Sequence, residues 1–358
     1  MTNEEPIICL GIESTAHTLG IGIVDSRGKI YANIKSSYLP PEGSGIHPRE
    51  AARHHSAKAA QLITQALTES KLSPHDLILV AFSQGPGMGP CLRTGAVIAR
   101  SIATYNNIPL VGVNHVVSHI EIGKLLTKTK DPVILMVSGG TTQISSLVND
   151  YYVIFGETLD ISVGNCLDKF AREVGLHDPN NPWPGPVFDQ VAAKGTKYHP
   201  LPYSVKGMSI SFSGLLTAAL RLVRKENIAV EDVAFSLQET ALSMLAEITE
   251  RAIAHTRTKE ILVVGGFARN KRFQEMLHEI CKDWNVNLSI CPFHFASDNG
   301  AMIAWNGILT FVAEGGLSIE ESQVKPDWRS DHVKITWSSL ELPHSPKVKS
   351  TRGKENED

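Results

Sequence analysis

The sequence predicts an α/β protein built from two similar lobes. The first observation behind that expectation is a repeat. The stretch IICLGIESTAHTLGIGIV (7–24) reads strand, small polar turn, strand, and VILMVSGGTTQISSLV (133–148) reads the same way. Asp150 stands in the second copy where Asp25 stands in the first, 125 residues later. A repeat this long is no solenoid unit and points to two lobes facing one another. The second observation is that short apolar strand patterns alternate with helical periodicity along the whole chain. The third is size and composition. With 358 residues, 42% hydrophobic and 20% charged, the chain suits about two packed domains rather than a disordered polymer.

Taken in order, Ile7–Val24 and Lys29–Ser36 form a predicted three-stranded meander, turning at Asp25-Ser26-Arg27-Gly28. A helix is predicted from Pro48 to about Ser70, with Ala52, Ala59, Leu62, Ile63, Ala66 and Leu67 at helical spacing and Pro48 suited to the first turn. A buried strand (77–82) runs into the turn 84–90, followed by a helix over about 94–105 and a short strand over 109–113. After the second meander (131–157), helices are expected at about 162–175, 213–226 and 231–257, with a Pro/Gly/Asn-rich loop over 177–186. A strand (261–264), a helix (about 269–284), a last strand (287–291) and a helix (about 299–313) complete the pattern. The lobes are expected over 7–130 and 131–337. Residues 338–358 have no apolar periodicity and are expected to be a disordered tail.

The net charge of −3 excludes a uniformly basic nucleic-acid binder; any nucleic acid must be held by a local patch or a partner. The five cysteines are odd in number, scattered, and form no C-x-x-C, which reads as free thiols in a reducing compartment. The N-terminus is acidic, without a basic n-region, and no apolar run approaches ~18 residues. A cytoplasmic protein with no membrane span is expected.

Four small-residue turns follow strands: Glu13-Ser14-Thr15, Gln84–Gly89, Ser138-Gly139-Gly140-Thr141 and Gly265-Gly266. Such turns either let backbone amides approach phosphate oxygens or simply turn the chain tightly, the commoner case for any one of them; two at equivalent places in a repeat suggest a nucleotide clamped between lobes. None matches a P-loop or a dinucleotide fingerprint. His115 and His119 form H-x-x-x-H; on a helix both imidazoles reach one ion. Val116 follows His115 where a metallopeptidase helix carries its Glu base, so that chemistry is missing. A third ligand is required, and the pattern leaves many candidates, Asp298 among them. Asp168 reads as an exposed acid or a sugar-hydroxyl acceptor. Lys169, Arg172, Lys194, Lys197, Lys206, Arg221, Arg224 and Lys225 give the middle third local positive charge, and His54-His55 read as a surface pair or a second polar cluster.

Taken together, GIESTAHT (11–18), GIHPREAARHH (45–55), SQGPGMGPCLRTG (83–95), NHVVSHIEIG (114–123), VSGGTTQ (137–143), GETLDISVGNCLDKFARE (156–173), LPYSVKGM (201–208), FSGLLTAA (212–219), QETA (238–241), VVGGFARN (263–270) and SDNGAMIA (297–304) resemble one family. It is the archaeal/eukaryotic branch of the tRNA threonylcarbamoyladenosine synthases, the catalytic subunit of the KEOPS complex. The resemblance implies a duplicated actin/Hsp70/sugar-kinase-like (ASKHA) fold. It implies transfer of a threonylcarbamoyl group from threonylcarbamoyl-AMP to N6 of the adenosine 3′ to the anticodon in tRNAs reading ANN codons. It implies one Fe²⁺ or Zn²⁺ per subunit, on His115, His119 and Asp298, and an adenine nucleotide or the acyl-adenylate as ligand. Met136, Val137, Ser138, Gly139 and Gly140 would line the substrate site; Asp168, Gly185, Asp189 and Asn270 would contact the adenylate. The implied partners are tRNA and the kinase/ATPase, dimerising and tRNA-binding subunits of KEOPS.

The chain departs from the pattern where Met136 replaces a usual Tyr, Thr141 a usual Asn or His, and Asp189 a usual Glu; 177–183 looks like an insertion. The competing readings are an actin-fold small-molecule kinase, a nucleotide-binding scaffold without catalysis, and a metallopeptidase. With −3 overall, the chain alone is expected to bind tRNA weakly and in a salt-sensitive way.

Overall fold

The computed structural model describes residues 5–41, 44–176, 178 and 184–340. In chain order the elements are β1 (Ile8–Glu13), β2 (Thr18–Asp25), β3 (Ile30–Ser37), α1 (Pro48–Ser70), β4 (Leu79–Gly85), α2 (Gly89–Asn106), β5 (Leu110–Asn114), α3 (His115–Thr127), β6 (Val133–Val137), β7 (Thr142–Val148), β8 (Tyr151–Glu157), α4 (Val163–Glu173), α5 (Pro184–Ala192), the hairpin β9 (Val205–Lys206) and β10 (Ser209–Ile210), α6 (Ser213–Glu226), α7 (Val230–Thr256), β11 (Glu260–Val264), α8 (Lys271–Asp283), β12 (Asn287–Ile290), α9 (Phe293–Ala296) and α10 (Gly300–Glu314).

Two five-stranded sheets share one topology. The first has the order β3-β2-β1-β4-β5, the second β8-β7-β6-β11-β12. In each, an antiparallel meander supplies three strands and the next two lie parallel to its first strand. The duplication visible in the sequence is therefore a duplication of strand order. The architecture is the two-lobe actin-like α/β fold that the resemblance implied.

The layers follow from strand alternation. In β1 and β2, Leu10, Ile12, Leu19, Ile21 and Ile23 face outward, into a core shared with α1 and α2. In β6, Val133, Leu135 and Val137 face outward onto α4, α6, α7 and α8. The opposite faces look at each other across α3 and α10, which share a third core with Cys9, Leu79, Ile134, Met136 and Val264. Helix α3 follows the last strand of the first sheet and packs on β11 of the second; α10 follows the last strand of the second and packs on the first.

That crossing depends on glycine. The inward face of β1 and β2 carries Gly11, Gly20 and Gly22. A Cβ on Gly22 would meet the Ala301 nitrogen at 2.2 Å, and one on Gly11 the Ala304 nitrogen at 2.2 Å. The bare strands let the backbone of α10 lie directly on the sheet.

Several elements differ from expectation. Helix α2 begins at Gly89, five residues early, because Pro90 tolerates the first helical turn. Pro184, Gly185 and Pro186, expected in a loop, open α5 for the same reason; the rest of that predicted loop lies outside the described residues except Asp178. The hairpin β9–β10 is too short to leave a period in the sequence. Of the predicted tail, 341–358 lie outside the described residues, while Ser338 Oγ donates to Asp150 Oδ1 at 3.2 Å. Among the described residues no helix is long and apolar enough to cross a membrane, and all five cysteines are free and buried.

Replacing Gly22 by Ala is expected to cost about 1–3 kcal/mol in denaturant unfolding, the usual cost of overpacking against backbone. Gly139→Ala, at a position with nothing within 4 Å of the added Cβ, is expected to change stability by less than about 0.5 kcal/mol.

Candidate metal and nucleotide site

The residues of interest stand at or beyond the C-terminal ends of the strands: Glu13 ends β1, His115 and Ser138 directly follow β5 and β6, and Asn270 and Asp298 lie in the connections after β11 and β12. This is where open α/β sheets expose backbone ends to ligands.

Asn114 caps α3, its side chain accepting from the amides of Val116 and Val117 at 3.0 and 3.1 Å. Asn299 caps α10 in the same way, accepting from Met302 at 3.0 Å. Each cap fixes a neighbour: His115 follows one and Asp298 precedes the other. His119 lies one turn along α3, with its ring at 90° to His115 and centroids 4.8 Å apart. Asp298 Oδ1 lies 3.3 Å from His119 Nε2 and 3.6 Å from His115 Nε2. One ligand atom from each of the three residues lies within 4.8 Å of the others, a group that can hold a metal ion. The sequence pattern left the third ligand open, and the fold brings up Asp298.

Glu13, which sequence reasoning treated only as part of a small turn, is the residue that was missed. Fully buried, it stands 2.9 Å from His115 Nδ1 through Oε2, while Oε1 accepts the Thr15 amide at 2.7 Å. A carboxylate on Nδ1 leaves Nε2 of His115 facing Asp298, the support that a metal-bound imidazole there would have. No sequence signal joins the two, which are 102 residues apart. Burial works to lower the pKa of His115, but Glu13 and Asp298 outweigh it and raise it to about 9. For His119 burial wins and the pKa falls. Burial also works to raise that of Asp298, yet the His119 hydrogen bond and the two imidazoles hold it well below the carboxylate range. The donor set fits a divalent cation: N and O donors of three residues converge, and the carboxylates of Asp298 and, behind His115, Glu13 supply the negative charge.

The small-residue turns divide between the two readings. After β1, the Ser14 amide donates to Ser83 Oγ at 3.0 Å and the Thr15 amide to Glu13. In the turn after β4, the amides of Gly87 and Met88 donate to Pro326 and Thr15 carbonyls. These turns are satisfied by the chain itself. After β6, the amides of Gly140 and Thr141 donate to Ser138 Oγ at 3.2 and 2.9 Å, but Gly139 and Gly140 are exposed with open space above them. Met136 and Val137 are buried, on opposite faces of β6, so their side chains belong to the cores rather than to an open substrate surface.

The four residues expected at an adenylate do come together. Asn270 caps α8 through Phe273 at 2.9 Å and donates to Asp189 Oδ1 at 2.9 Å. A Cβ on Gly185 would lie 3.5 Å from Asp168 Oδ1. Asp168 is half-buried rather than an exposed acid. Burial raises its pKa to about 6 against the pull of Arg172 and Arg269, and burial likewise raises that of Asp189. His55 is fully buried, its Nε2 3.0 Å from the Ala16 carbonyl oxygen, so the His54-His55 pair is a polar cluster and not a surface pair.

Comparison with known proteins identifies the family. Residues 29–305 match the family model described as TsaD, tRNA N6-adenosine threonylcarbamoyltransferase. The chain is 49% identical over 331 residues to the tRNA N6-adenosine threonylcarbamoyltransferase of Caldivirga maquilingensis, covering 92% of this chain and 98% of that one. The Archaeoglobus fulgidus protein of the same name is also 49% identical over 331 residues, covering 92% of this chain and 100% of that one. A probable bifunctional tRNA threonylcarbamoyladenosine biosynthesis protein of Methanothermobacter thermautotrophicus is 48% identical over 342 residues; the match covers 94% of this chain but 63% of that longer protein. Among solved structures, T. kodakarensis HypF superposes with a TM-score of 0.62 at 15% identity, over 90% of this chain and 51% of that one. Component A of the Acidaminococcus fermentans (R)-2-hydroxyglutaryl-CoA dehydratase does so at 0.51 and 13%, over 84% and 97%. These last two speak for the fold alone. With this fold and this identity over nine-tenths of its length, the chain belongs to the TsaD family of tRNA N6-adenosine threonylcarbamoyltransferases.

Proposed function

We propose that this chain transfers the threonylcarbamoyl group of threonylcarbamoyl-AMP to N6 of the adenosine 3′ to the anticodon in tRNAs reading ANN codons. The observation that carries the reading is the convergence of His115, His119 and Asp298 beyond the strand ends, together with the Asp168, Gly185, Asp189 and Asn270 cluster that α4, α5 and the turn after β11 bring together. A metal end and a sugar-hydroxyl end suit the two parts of an acyl-adenylate.

His115, His119 and Asp298 would hold one Fe²⁺ or Zn²⁺. Such an ion supplies Lewis acidity toward the carbamoyl carbonyl and offsets negative charge. The protein's own residues do the rest. Glu13 holds His115 in the orientation that frees Nε2. Asp168 and Asp189 offer carboxylate oxygens to ribose hydroxyls, and the open backbone at Gly139–Gly140 leaves room for the acyl group. The substrate is already activated, so positioning and charge stabilisation dominate over covalent catalysis. Burial pushes the Cys166 thiol up to about 12, which withholds a thiolate and favours direct acyl transfer.

The lobes belong to the same reading, over 7–130 and 131–337, with α10 of the second seated on the sheet of the first. So do the cytoplasm as the site of action, tRNA as the acceptor, and a KEOPS assembly of kinase/ATPase, dimerising and tRNA-binding subunits. A chain of net charge −3 draws much of its phosphate contact from such partners.

The test is reconstitution with those subunits, threonylcarbamoyl-AMP and unmodified tRNA. Threonylcarbamoyladenosine should form. The double variant His115→Ala, His119→Ala should lose bound metal and transfer together; a variant that keeps its full metal content refutes the site. A second expectation concerns pH. The folded state holds the Asp168 proton more tightly than the ordinary value of 3.8 allows, so stability falls as pH rises from about 4 to about 6 and the cost persists above. Asp168→Asn should therefore unfold at a higher temperature than wild type at pH 7.5. The advantage should vanish near pH 4, as read by paired melting curves.

A further inference from the structure

We propose that Arg269, assisted by Lys35 from the other lobe, is the anion-binding element of this site and holds the adenylate phosphate between its nucleotide end and its metal end. The proposal rests on the acyl-adenylate reading above and adds the residues that take the charge of the leaving group.

Arg269 is exposed at the end of the 3-10 turn Gly266–Arg269, immediately before the cap Asn270. Its guanidinium carbon lies 5.8 Å from the centroid of the Phe293 ring, a cation–π contact, which does not use up the in-plane N–H donors. A Cβ on Gly185 would fall 3.5 Å from Asp168 Oδ1 and 3.7 Å from an Arg269 terminal nitrogen. Gly185 has none, so it places no side chain of its own between the acid and the cation. On the other side of the turn, a Cβ on Gly266 would lie 3.8 Å from that of Ser297. Ser297 Oγ accepts from Lys35 Nζ at 2.7 Å, and Ser297 directly precedes Asp298. From one end of the site to the other, the groups therefore run Asp168 and Asp189, then Arg269, then Lys35, then the metal ligands. An acyl-adenylate presents its groups in the matching order: ribose hydroxyls, phosphate, carbonyl.

The chemistry needs a cation at that point. As N6 of adenosine attacks the carbamoyl carbon, a C–N bond forms and the C–O bond to phosphate breaks. The electron pair goes to the phosphate oxygen, which takes up a second negative charge, and the N6 proton leaves to solvent. A guanidinium already in place stabilises that charge better than reorganising water does.

The test compares two probes on the full chain by calorimetry, AMP and adenosine, which differ only in the phosphate. Wild type should bind AMP more tightly than adenosine. Arg269→Ala should weaken AMP about 10-fold, the loss of one charge-assisted contact, and leave adenosine within about twofold. Arg269→Lys should recover part of the loss, and Lys35→Ala should lose less than Arg269→Ala. Unchanged AMP affinity in Arg269→Ala, or equal losses for AMP and adenosine, would overturn the proposal; unaltered adenosine binding also certifies that the variant is folded. Wild type that binds neither probe would overturn the adenylate reading itself, and this proposal with it.

Discussion

The site depends on one close approach, that of helix α10 to the inner face of the first sheet. The helix starts on a strip of strand backbone where Gly11, Gly20 and Gly22 present no side chain. Any Cβ there would push the helix outward, and with it Asn299 and Asp298 at its N-terminal end. Helix α3 is fixed from the other direction, by the run of β5 into Asn114 and His115. Two helices from opposite halves of the chain are thereby brought side by side between two sheets, and their first residues meet.

Electrostatics completes what packing begins. Burying two imidazoles and two carboxylates in one place is costly unless each is paired. Glu13 answers His115, and Asp298 answers both rings. The Nδ1 of His119 stays unanswered. The Nε2 atoms of both imidazoles and one carboxylate oxygen of Asp298 converge on one point, which suits a cation.

Much of the fold was legible in the sequence. The alternation in TLGIGIVD, with large residues on one face and glycine on the other, marks β2 as a strand, and the repeat after residue 131 marks the second lobe. The i, i+4 histidines mark their own helix. What the sequence could not carry was distance along the chain. Asp298 lies 179 residues from His119, so local spacing could not choose it; only the family resemblance did. Glu13 looked like turn chemistry because its partner is remote. The turns after β1 and β4 looked like phosphate cradles because small residues fit both a ligand and a tight self-satisfied turn, and only the amide partners tell these apart. Helix α5 was hidden by two prolines that are tolerated at a helix start. Met136 illustrates the reverse case: in a stretch expected to line the substrate site, its side chain lies in the core.

The most direct measurement of the central claim is X-ray absorption at the metal edge of protein purified without chelator. The account predicts a first shell of nitrogen and oxygen only, with the outer-shell scattering of imidazole. Sulfur in the first shell, or a bound metal without an imidazole signature, would contradict it.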